Sequence, residues 1–381
     1  MKMQEKIPLF KVYMAEEIDK PLLDVIHSGW IGEGPKVVEF ENNLKEYFGN
    51  PYLSTVNNGT SALHLAYHMS LHPNDAKSYY NNNQDEIIST AITCTATNTP
   101  IITNGAKIVW ADVDPITGNI DPADIERKIT KNTKAIAMVH WGGNPCLINE
   151  INEIAQKYNI KTIEDAAHGI GMEYGGKKVG NFSDYTAISL QAIKSITSVD
   201  GGILMMKNET DYNRACLLRW YGIDRTHKEG IDLRCELDVE EAGYKFHMND
   251  VMATIGNVNF QHIDEIIGKY RENAAFYNEA FKDNDKIITV PENPLGKSSY
   301  WLYTIHVPDR DRVMQKLNEA GIMSSKVHAR NDIHSMFKEF KTDLPNTEKF
   351  NTTHLCIPVG WWVTKEQREY IAEKVIEIVN G

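Results

Sequence analysis

Apolar, β-branched runs alternate with amphipathic stretches through the middle of the chain. The stretch at 148–158 has apolar residues at helical spacing, which predicts a helix between two strands. Strands separated by helices indicate βαβ units, so we predict an α/β fold with a mostly parallel central sheet and helices on both faces. A polar, aperiodic segment at 74–86 is predicted to be a surface loop. The predicted strands are 87–92, 107–112, 135–140, 161–163, 186–190 and 202–206.

The last third of the chain predicts a second, smaller unit. A long helix at 249–269 is expected to link the large domain to an α+β C-terminal domain. We place the large domain at 1–255 and the linking helix with the small domain at 256–381, and we expect the N-terminal arm to pack partly against the small domain. The tail is predicted to contain a strand at 300–307, a helix at 312–320 that Gly321 ends, and an amphipathic helix at 365–379.

Composition indicates a soluble globular protein. Of its 381 residues, 42% are hydrophobic and 24% are charged. No apolar stretch approaches the roughly 18–20 residues that span a bilayer. The N-terminus has no apolar segment of the kind found in signal peptides, so we expect a cytoplasmic protein with no membrane partner. The formal net charge of -12 argues against nucleic acid as a main partner.

Neither the cysteines nor the histidines form a strong metal-binding pattern. The five cysteines are scattered and never spaced as Cys-x-x-Cys, so we interpret them as reduced thiols. His64, His68 and His72 recur every four residues, a spacing compatible with a metal, but no glutamate completes a His-Glu-x-x-His motif. We therefore predict an ordinary helix face and no metal.

Lys194 follows one predicted strand, and Asp165 lies at the end of a neighbouring one. Ligands of parallel sheets bind beyond the carboxyl ends of the strands, so both side chains are expected at the same site. A lysine and an aspartate in this arrangement suit pyridoxal phosphate (PLP). The amine forms a Schiff base with it, and the carboxylate keeps the pyridine nitrogen protonated.

A segment of small residues at 57–63 leads into a predicted helix and is a candidate phosphate site. Gly59, Thr60 and Ser61 lie at its start, where free backbone N–H groups and the helix dipole attract anions. Ser189, five residues before Lys194, adds a hydroxyl to the same site. The alternative is that Thr60 or Ser61 only caps the helix.

The order of motifs resembles the DegT/DnrJ/EryC1/StrS family of PLP-dependent sugar aminotransferases, which have the fold of aspartate aminotransferase, PLP-dependent transferase fold type I. The similarity runs nearly from end to end of the chain. The motifs are Gly-Trp-Ile-Gly-Glu-Gly-Pro at 29–35, Asn-Gly-Thr-Ser-Ala-Leu at 58–63, Gly-Ala-Lys-Ile-Val at 105–109, Asp-Val-Asp at 112–114, Val-His-Trp-Gly-Gly-Asn-Pro at 139–145, Ile-Glu-Asp-Ala-Ala-His at 163–168, Lys194 with Gly201 and Gly202, and Pro358 with Thr364.

The resemblance implies a role for each site residue. Lys194 would be the catalytic lysine that carries PLP, and Asp165 would pair with the pyridinium nitrogen. His168 would contact the 3′ oxygen of the ring or lie against the ring. The residues implied to hold the phosphate are Gly59, Thr60, Ser61 and Ser189.

Two positions depart from the common family pattern. Cys94 lies where many relatives place an aromatic side chain on the PLP ring, and we interpret it as a small buried residue rather than a nucleophile. Lys245 lies where members often have an asparagine that reaches the phosphate of the neighbouring subunit, and its ammonium could serve that phosphate as a point charge. The resemblance thus implies a homodimer with shared active sites.

Four further side chains are candidates for binding substrate. Arg219 and Arg225 flank a Trp-Tyr-Gly turn, where they either grip a diphosphate or carboxylate or form surface ion pairs. By resemblance, His328 and Arg330 approach the mouth of the site. The aromatic cluster at 300–303 is interpreted as core of the small domain.

We therefore expect a transaminase of amino-sugar and polysaccharide biosynthesis, including lipopolysaccharide, that moves an amino group from L-glutamate to a keto-sugar. The resemblance favours a nucleotide-linked 4-keto-6-deoxyhexose and a perosamine- or viosamine-like product. Three alternatives stay open: an 8-amino-octulosonate-type transaminase, a PLP-dependent sugar dehydratase, and a non-catalytic scaffold or regulator. Relatives that dehydrate typically replace the lysine, so the presence of Lys194 favours transamination.

Overall fold

The apolar runs in the middle of the chain form a seven-stranded sheet. The computed structural model describes residues 6–73, 84–225 and 238–381. The strands in chain order are β1 (Leu53–Val56), β2 (Glu86–Thr90), β3 (Lys107–Ala111), β4 (Thr133–Val139), β5 (Lys161–Asp165), β6 (Glu173–Tyr174), β7 (Lys177–Lys178), β8 (Tyr185–Ser189), β9 (Gly202–Met206), β10 (Ile288–Thr289), β11 (Gly296–Lys297), β12 (Tyr303–His306) and β13 (His354–Ile357).

The large sheet has the order β1-β9-β8-β5-β4-β2-β3. Strand β9 is antiparallel to both of its neighbours, and the other pairs are parallel. The inner strands are buried along nearly their whole length, which explains their continuous apolar sequences. The predicted α/β fold with a mostly parallel sheet is confirmed. Asp165 pairs with Ala187, so the carboxyl ends of β5 and β8 lie side by side.

Helices cover the sheet and connect its strands. Asn58, Asp121, Asn208, Asn249 and Thr364 each cap a helix N-terminus with a side-chain oxygen. Short 3₁₀ helices lie at Glu16–Ile18, Trp141–Gly143, Asn331–Ile333 and Ser335–Phe340. The α-helices are α1 (Asp19–His27), α2 (Pro35–Phe48), α3 (Gly59–Leu71), α4 (Thr95–Thr103), α5 (Pro122–Lys128), α6 (Ile148–Tyr158), α7 (Glu209–Leu218), α8 (Asp250–Phe260), α9 (Ile263–Phe281), α10 (Arg310–Glu319), α11 (Pro345–Thr353) and α12 (Lys365–Asn380).

The single long helix expected at 249–269 is two helices, because α8 ends and α9 begins at a break around Gln261 and His262. Neither glycine nor proline marks this break in the sequence. Asn259, near the end of α8, bonds to residues outside the helix. Its buried Oδ1 accepts a bond from Ala15 N, and its Nδ2 donates one to Thr197 O. The break is therefore associated with tertiary contacts that a periodic pattern does not reveal.

The last third of the chain carries a three-stranded sheet with the order β10-β12-β13. Helix α10 ends near Gly321, whose φ of +82° only glycine adopts easily. The N-terminal segment contacts this region, since Ile7 N donates to Gly321 O and Trp362 Nε1 donates to Pro8 O. The division at residue 255 into two domains remains a prediction.

Two further observations concern membrane-spanning helices and the predicted surface loop. No helix in the described ranges combines the length and the apolar character that a membrane crossing requires. Most of the predicted surface loop at 74–86 lies outside the described residues, and strand β2 begins at its end.

Candidate active site

A cavity of about 710 Å³ opens where the carboxyl ends of β5 and β8 meet the start of α3. It lies at the edge of the sheet where parallel strands place their ligands. Within the described ranges the lining does not include Lys245, Arg219, Arg225 or Arg330. The predicted site residues that do line it are Gly59, Thr60, Ser61, Cys94, Asp165, His168, Ser189, Lys194 and His328.

Lys194 extends into this cavity from the turn that follows β8. Its backbone N–H donates to Gln191 O, which closes the turn. Burial lowers the pKa of the Lys194 amine to about 8, although the nearby carboxylate of Asp165 opposes the shift. An amine with this pKa exchanges protons readily near neutral pH.

Asp165 ends β5 and is 3% exposed. Its Oδ2 accepts a bond of 2.6 Å from Thr97 Oγ1, and its Oδ1 accepts one of 3.0 Å from Ala167 N. Burial raises the pKa of the Asp165 carboxyl, against the effect of these bonds and of Lys194. A buried carboxyl of this kind is ionised most readily beside a cation, so the position suits a protonated ring nitrogen.

The start of α3 forms the polar end of the cavity. Asn58, rather than Thr60 or Ser61, caps the helix, because its Oδ1 accepts a bond of 2.8 Å from Ser61 N. The backbone N–H groups of Gly59 and Thr60 have no acceptor among the described residues. A Cβ at Gly59 would lie 2.9 Å from Ser189 Cβ, so only glycine fits there. This cradle suits a phosphate.

His168 lies on the opposite wall and stacks on Trp301, with ring centroids 4.0 Å apart. Burial, with the charges of Lys194 and His328, holds the pKa of His168 well below its usual range, so the ring is neutral. Its Nδ1 accepts a bond from Gly142 N, which fixes the tautomer. Trp301 belongs to a buried hydrophobic cluster, as expected, and its ring also lines the cavity, which the sequence did not indicate. Tyr303 packs in the core.

Cys94 also differs from expectation, because its side chain is exposed at the cavity and not buried. It occupies the N-cap position of α4, immediately before Thr95, where the chain turns at the rim.

Arg219 is not at the cavity, and its substrate role is corrected to a structural one. The side chain is 8% exposed and donates to Glu41, Glu33, Ser54 and the Thr55 carbonyl. These bonds join α2, β1 and the end of α7. Both terminal guanidinium nitrogens of Arg219 are thus hydrogen-bonded within the protein.

The other basic candidates lie in separate surroundings. Arg225 pairs with Glu33 and lies over the Trp220 ring at 4.5 Å. Lys245 is exposed, with its Nζ 3.6 Å from the centroid of the same ring. Neither touches the cavity described above.

The side chains of Arg330 and His328 line different cavities, although the two residues lie only two positions apart in sequence. Arg330 pairs with Asp332 and Glu348 and lines a second cavity of about 270 Å³. His328 faces the main cavity, and its buried Nε2 has no hydrogen-bond partner among the described residues. A buried imidazole nitrogen without a partner is a position where a substrate group can bind.

The lining residues that the sequence analysis did not assign to the site include Thr97, Trp301 and Phe10. Thr97 lies four residues, about one helical turn, after Thr93, and this spacing of hydroxyls at the helix start was the available signal. Phe10 and Trp301 are far from the motifs in sequence, and no local pattern marks them.

The family comparison decides the identity of this site. The model of the DegT/DnrJ/EryC1/StrS aminotransferase family matches residues 12–376. The chain belongs to this family. The predicted family and fold type are therefore confirmed, and this aminotransferase uses PLP.

Individual relatives agree with this assignment. The aminotransferase is 30% identical to the UDP-4-amino-4,6-dideoxy-N-acetyl-beta-L-altrosamine transaminase of Campylobacter jejuni, over 96% of this chain and 94% of the relative. The sugar aminotransferase CalS13 of Micromonospora echinospora is 34% identical, with a TM-score of 0.92 over 97% of this chain and 99% of that one. The PLP-form of Spr1654 from Streptococcus pneumoniae is 25% identical, with a TM-score of 0.87 over 98% of this chain and 99% of that one. The protein is a sugar aminotransferase.

Proposed function

We propose that this aminotransferase moves an amino group from L-glutamate to a nucleotide-linked 4-keto-6-deoxyhexose. The observation that carries the proposal is that Lys194, Asp165 and the start of α3 line one cavity. The sugar is supported by the Campylobacter relative, which is named for a UDP-linked 4-amino-4,6-dideoxy sugar. An amine at carbon 4 of such a sugar is formed from a ketone at the same carbon.

Each lining residue has a distinct task in the proposal. When bound, PLP supplies an electron sink that makes the proton on the amine-bearing carbon removable. Asp165 keeps the ring nitrogen protonated, and the backbone N–H groups of Gly59 and Thr60, with Ser61 and Ser189, orient the phosphate. His168 packs against the ring as a neutral imidazole.

Lys194 moves the proton. Its amine would take the proton from the α-carbon of glutamate and pass it to the bound cofactor, which would retain the amino group while hydrolysis releases 2-oxoglutarate. In the second half-reaction the same amine returns a proton to carbon 4 of the sugar. The lowered pKa of about 8 suits both directions, because this amine releases its proton more readily than an ordinary lysine with a pKa near 10.5.

We also propose that the enzyme works as a homodimer. Lys245, exposed and outside the cavity of its own chain, would serve the phosphate bound by the other protomer. Large apolar side chains on and after α1 are exposed, with Leu23 at 55%, Trp30 at 57% and Ile31 at 55%. An apolar face of this kind is stabilised when a second copy covers it.

The test combines one variant with a panel of substrates. The Lys194→Ala protein should lose the visible absorbance of the enzyme-bound cofactor and all transamination, whereas Lys207→Ala, at an exposed lysine after β9, should keep both. Incubation of the wild type with glutamate and keto-sugars should give an amino-sugar by mass. A deoxy-ketose would indicate a dehydratase, and full activity of Lys194→Ala would refute the assignment of the lysine.

A further inference from the structure

Trp301 makes two separate contacts with the segment that carries the cavity lysine. The Lys194 Nζ atom lies 3.7 Å from the centroid of the indole ring. The indole Nε1–H donates a bond of 3.0 Å to the carbonyl of Ile193, the residue before the lysine. One side chain therefore fixes the backbone that presents Lys194 and also faces its amine.

Trp301 is itself held rigidly. It is 3% exposed, and its ring stacks with two others: His168 at 4.0 Å with an interplanar angle of 24°, and Phe10 at 5.0 Å with an angle of 20°. The neighbouring Ser299 Oγ donates to the His168 carbonyl at 2.7 Å. The two stacked rings and the bond from Nε1 to the Ile193 carbonyl restrain the orientation of the indole beside the lysine.

We propose that Trp301 is a positioning residue that holds the free amine of Lys194 against its indole face whenever that amine is not bound to the cofactor. The proposal rests on the role of Lys194 in the proposed function. An aromatic face attracts an ammonium group, and the attraction is strongest at a desolvated site. The indole thus offsets part of the burial that drives the amine toward its neutral form.

Other charged or titratable groups also face this amine. Asp165 from β5 and Cys94 before α4 favour its charged form. His168 and His328 approach it from the other walls as largely neutral rings. The ring face of Trp301 acts in the same direction as Asp165, and its removal should shift the amine toward the neutral form.

The experiment measures the proton affinity of the amine directly. The full-length enzyme is first converted to its pyridoxamine phosphate form, in which Lys194 has a free amine. Trace reductive methylation across a pH series, read by mass spectrometry of the Lys194 peptide, then gives the pKa of that amine. In Trp301→Leu this pKa should be lower than in the wild type by about one unit. Trp301→Phe, which keeps an aromatic face, should fall between the two.

A second measurement avoids any change of shape. Replacement of tryptophan by fluorotryptophan throughout the wild type weakens the negative face of the ring, so the Lys194 pKa should fall. The same labelling of Trp301→Phe should leave the pKa unchanged, because the other tryptophans do not face the amine. A pKa that is unchanged or raised in Trp301→Leu and in labelled wild type would overturn the proposal.

The two proposals fail in different ways. Retained transamination by Lys194→Ala would remove the proposed function, whatever Trp301 does to the amine. Loss of activity in Lys194→Ala together with an unchanged Lys194 pKa in the Trp301 variants would support the role of the lysine. It would refute only the positioning role of Trp301.

Discussion

The hydroxyl of Thr97 donates a bond of 2.6 Å to the Oδ2 atom of Asp165 inside the cavity wall. Thr97 is 1% exposed, and its hydroxyl is also 2.6 Å from that of Thr93. The bond comes from α4 and fixes the orientation of the carboxylate at the cavity. A hydrogen bond to a charged group contributes about 1.5–3 kcal/mol.

Thr97→Val should weaken PLP binding by at least about tenfold, because the carboxylate loses a donor and its ionised form becomes less stable. A PLP titration followed by visible absorbance measures this. Thr97→Ser keeps the hydroxyl and should restore affinity close to that of the wild type. Equal affinity of the Val and Ser variants would contradict a role for the hydroxyl.

Arg219→Ala should destabilise the protein by about 3–5 kcal/mol, because it leaves the buried carboxylate of Glu41 without its cation. Arg225→Ala is the matched control, since that residue pairs with Glu33 at the exposed surface and its loss should cost under about 1 kcal/mol. Thermal unfolding of both variants decides the matter. A stable Arg219→Ala protein with a raised KM for the sugar would instead return Arg219 to substrate binding.

Val199→Asn should stabilise the protein by about 1 kcal/mol. Val199 has a φ of 73°, a left-handed conformation that is costly for a β-branched residue and cheaper for asparagine. Its side chain is 52% exposed, so little packing is lost. Val12→Asn, at an exposed valine of ordinary φ, is the control and should show no gain in the midpoint of urea unfolding.

Glu241 should make the stability depend on acid pH. Burial opposes its ionised form, but bonds from Arg214 and His68 outweigh this and lower the pKa of Glu241 to about 2. A depressed folded-state pKa gives stability that is complete above the unfolded value near 4.3 and is lost as the pH falls toward 2.

The wild type should therefore lose about 1 kcal/mol more than Glu241→Gln between pH 6 and pH 3, a value reduced by solvent screening of this partly exposed group. Thermal melts across the pH series measure the difference. Glu240→Gln, at the exposed neighbouring position, should follow the wild type. Parallel pH profiles for wild type and Glu241→Gln would mean that the ion pairs do not stabilise the fold.

The sequence predicted the central sheet and the neighbourhood of Asp165 and Lys194 because both depend on local patterns. Apolar runs identify buried strands, and the rule for parallel strands then brings their carboxyl ends together. The contributions of Trp301 and Thr97 depend on packing between distant segments, which leaves no periodic trace. The local sequence around a tryptophan does not show whether its ring faces an amine or packs in a core.

Charged residues were harder to assign than the strands. Arg219 lies in a motif-like turn, and only the positions of Glu41 and Glu33 show that its guanidinium is already satisfied. The break between α8 and α9 has the same origin, since Asn259 bonds to residues far away in sequence. In each case the hydrogen-bonding partners are distant in sequence, and the fold brings them together.

Gly143 is a further position whose close contacts come from segments distant in sequence. A Cβ at this position would lie 1.9 Å from Ser299 Oγ and 2.7 Å from the His168 carbonyl. A single added methyl group would push apart the strand-end segment and the segment carrying Trp301, while leaving the sheet itself intact. A substitution of Gly143 should accordingly reduce the turnover of the enzyme more than it reduces the stability of the fold.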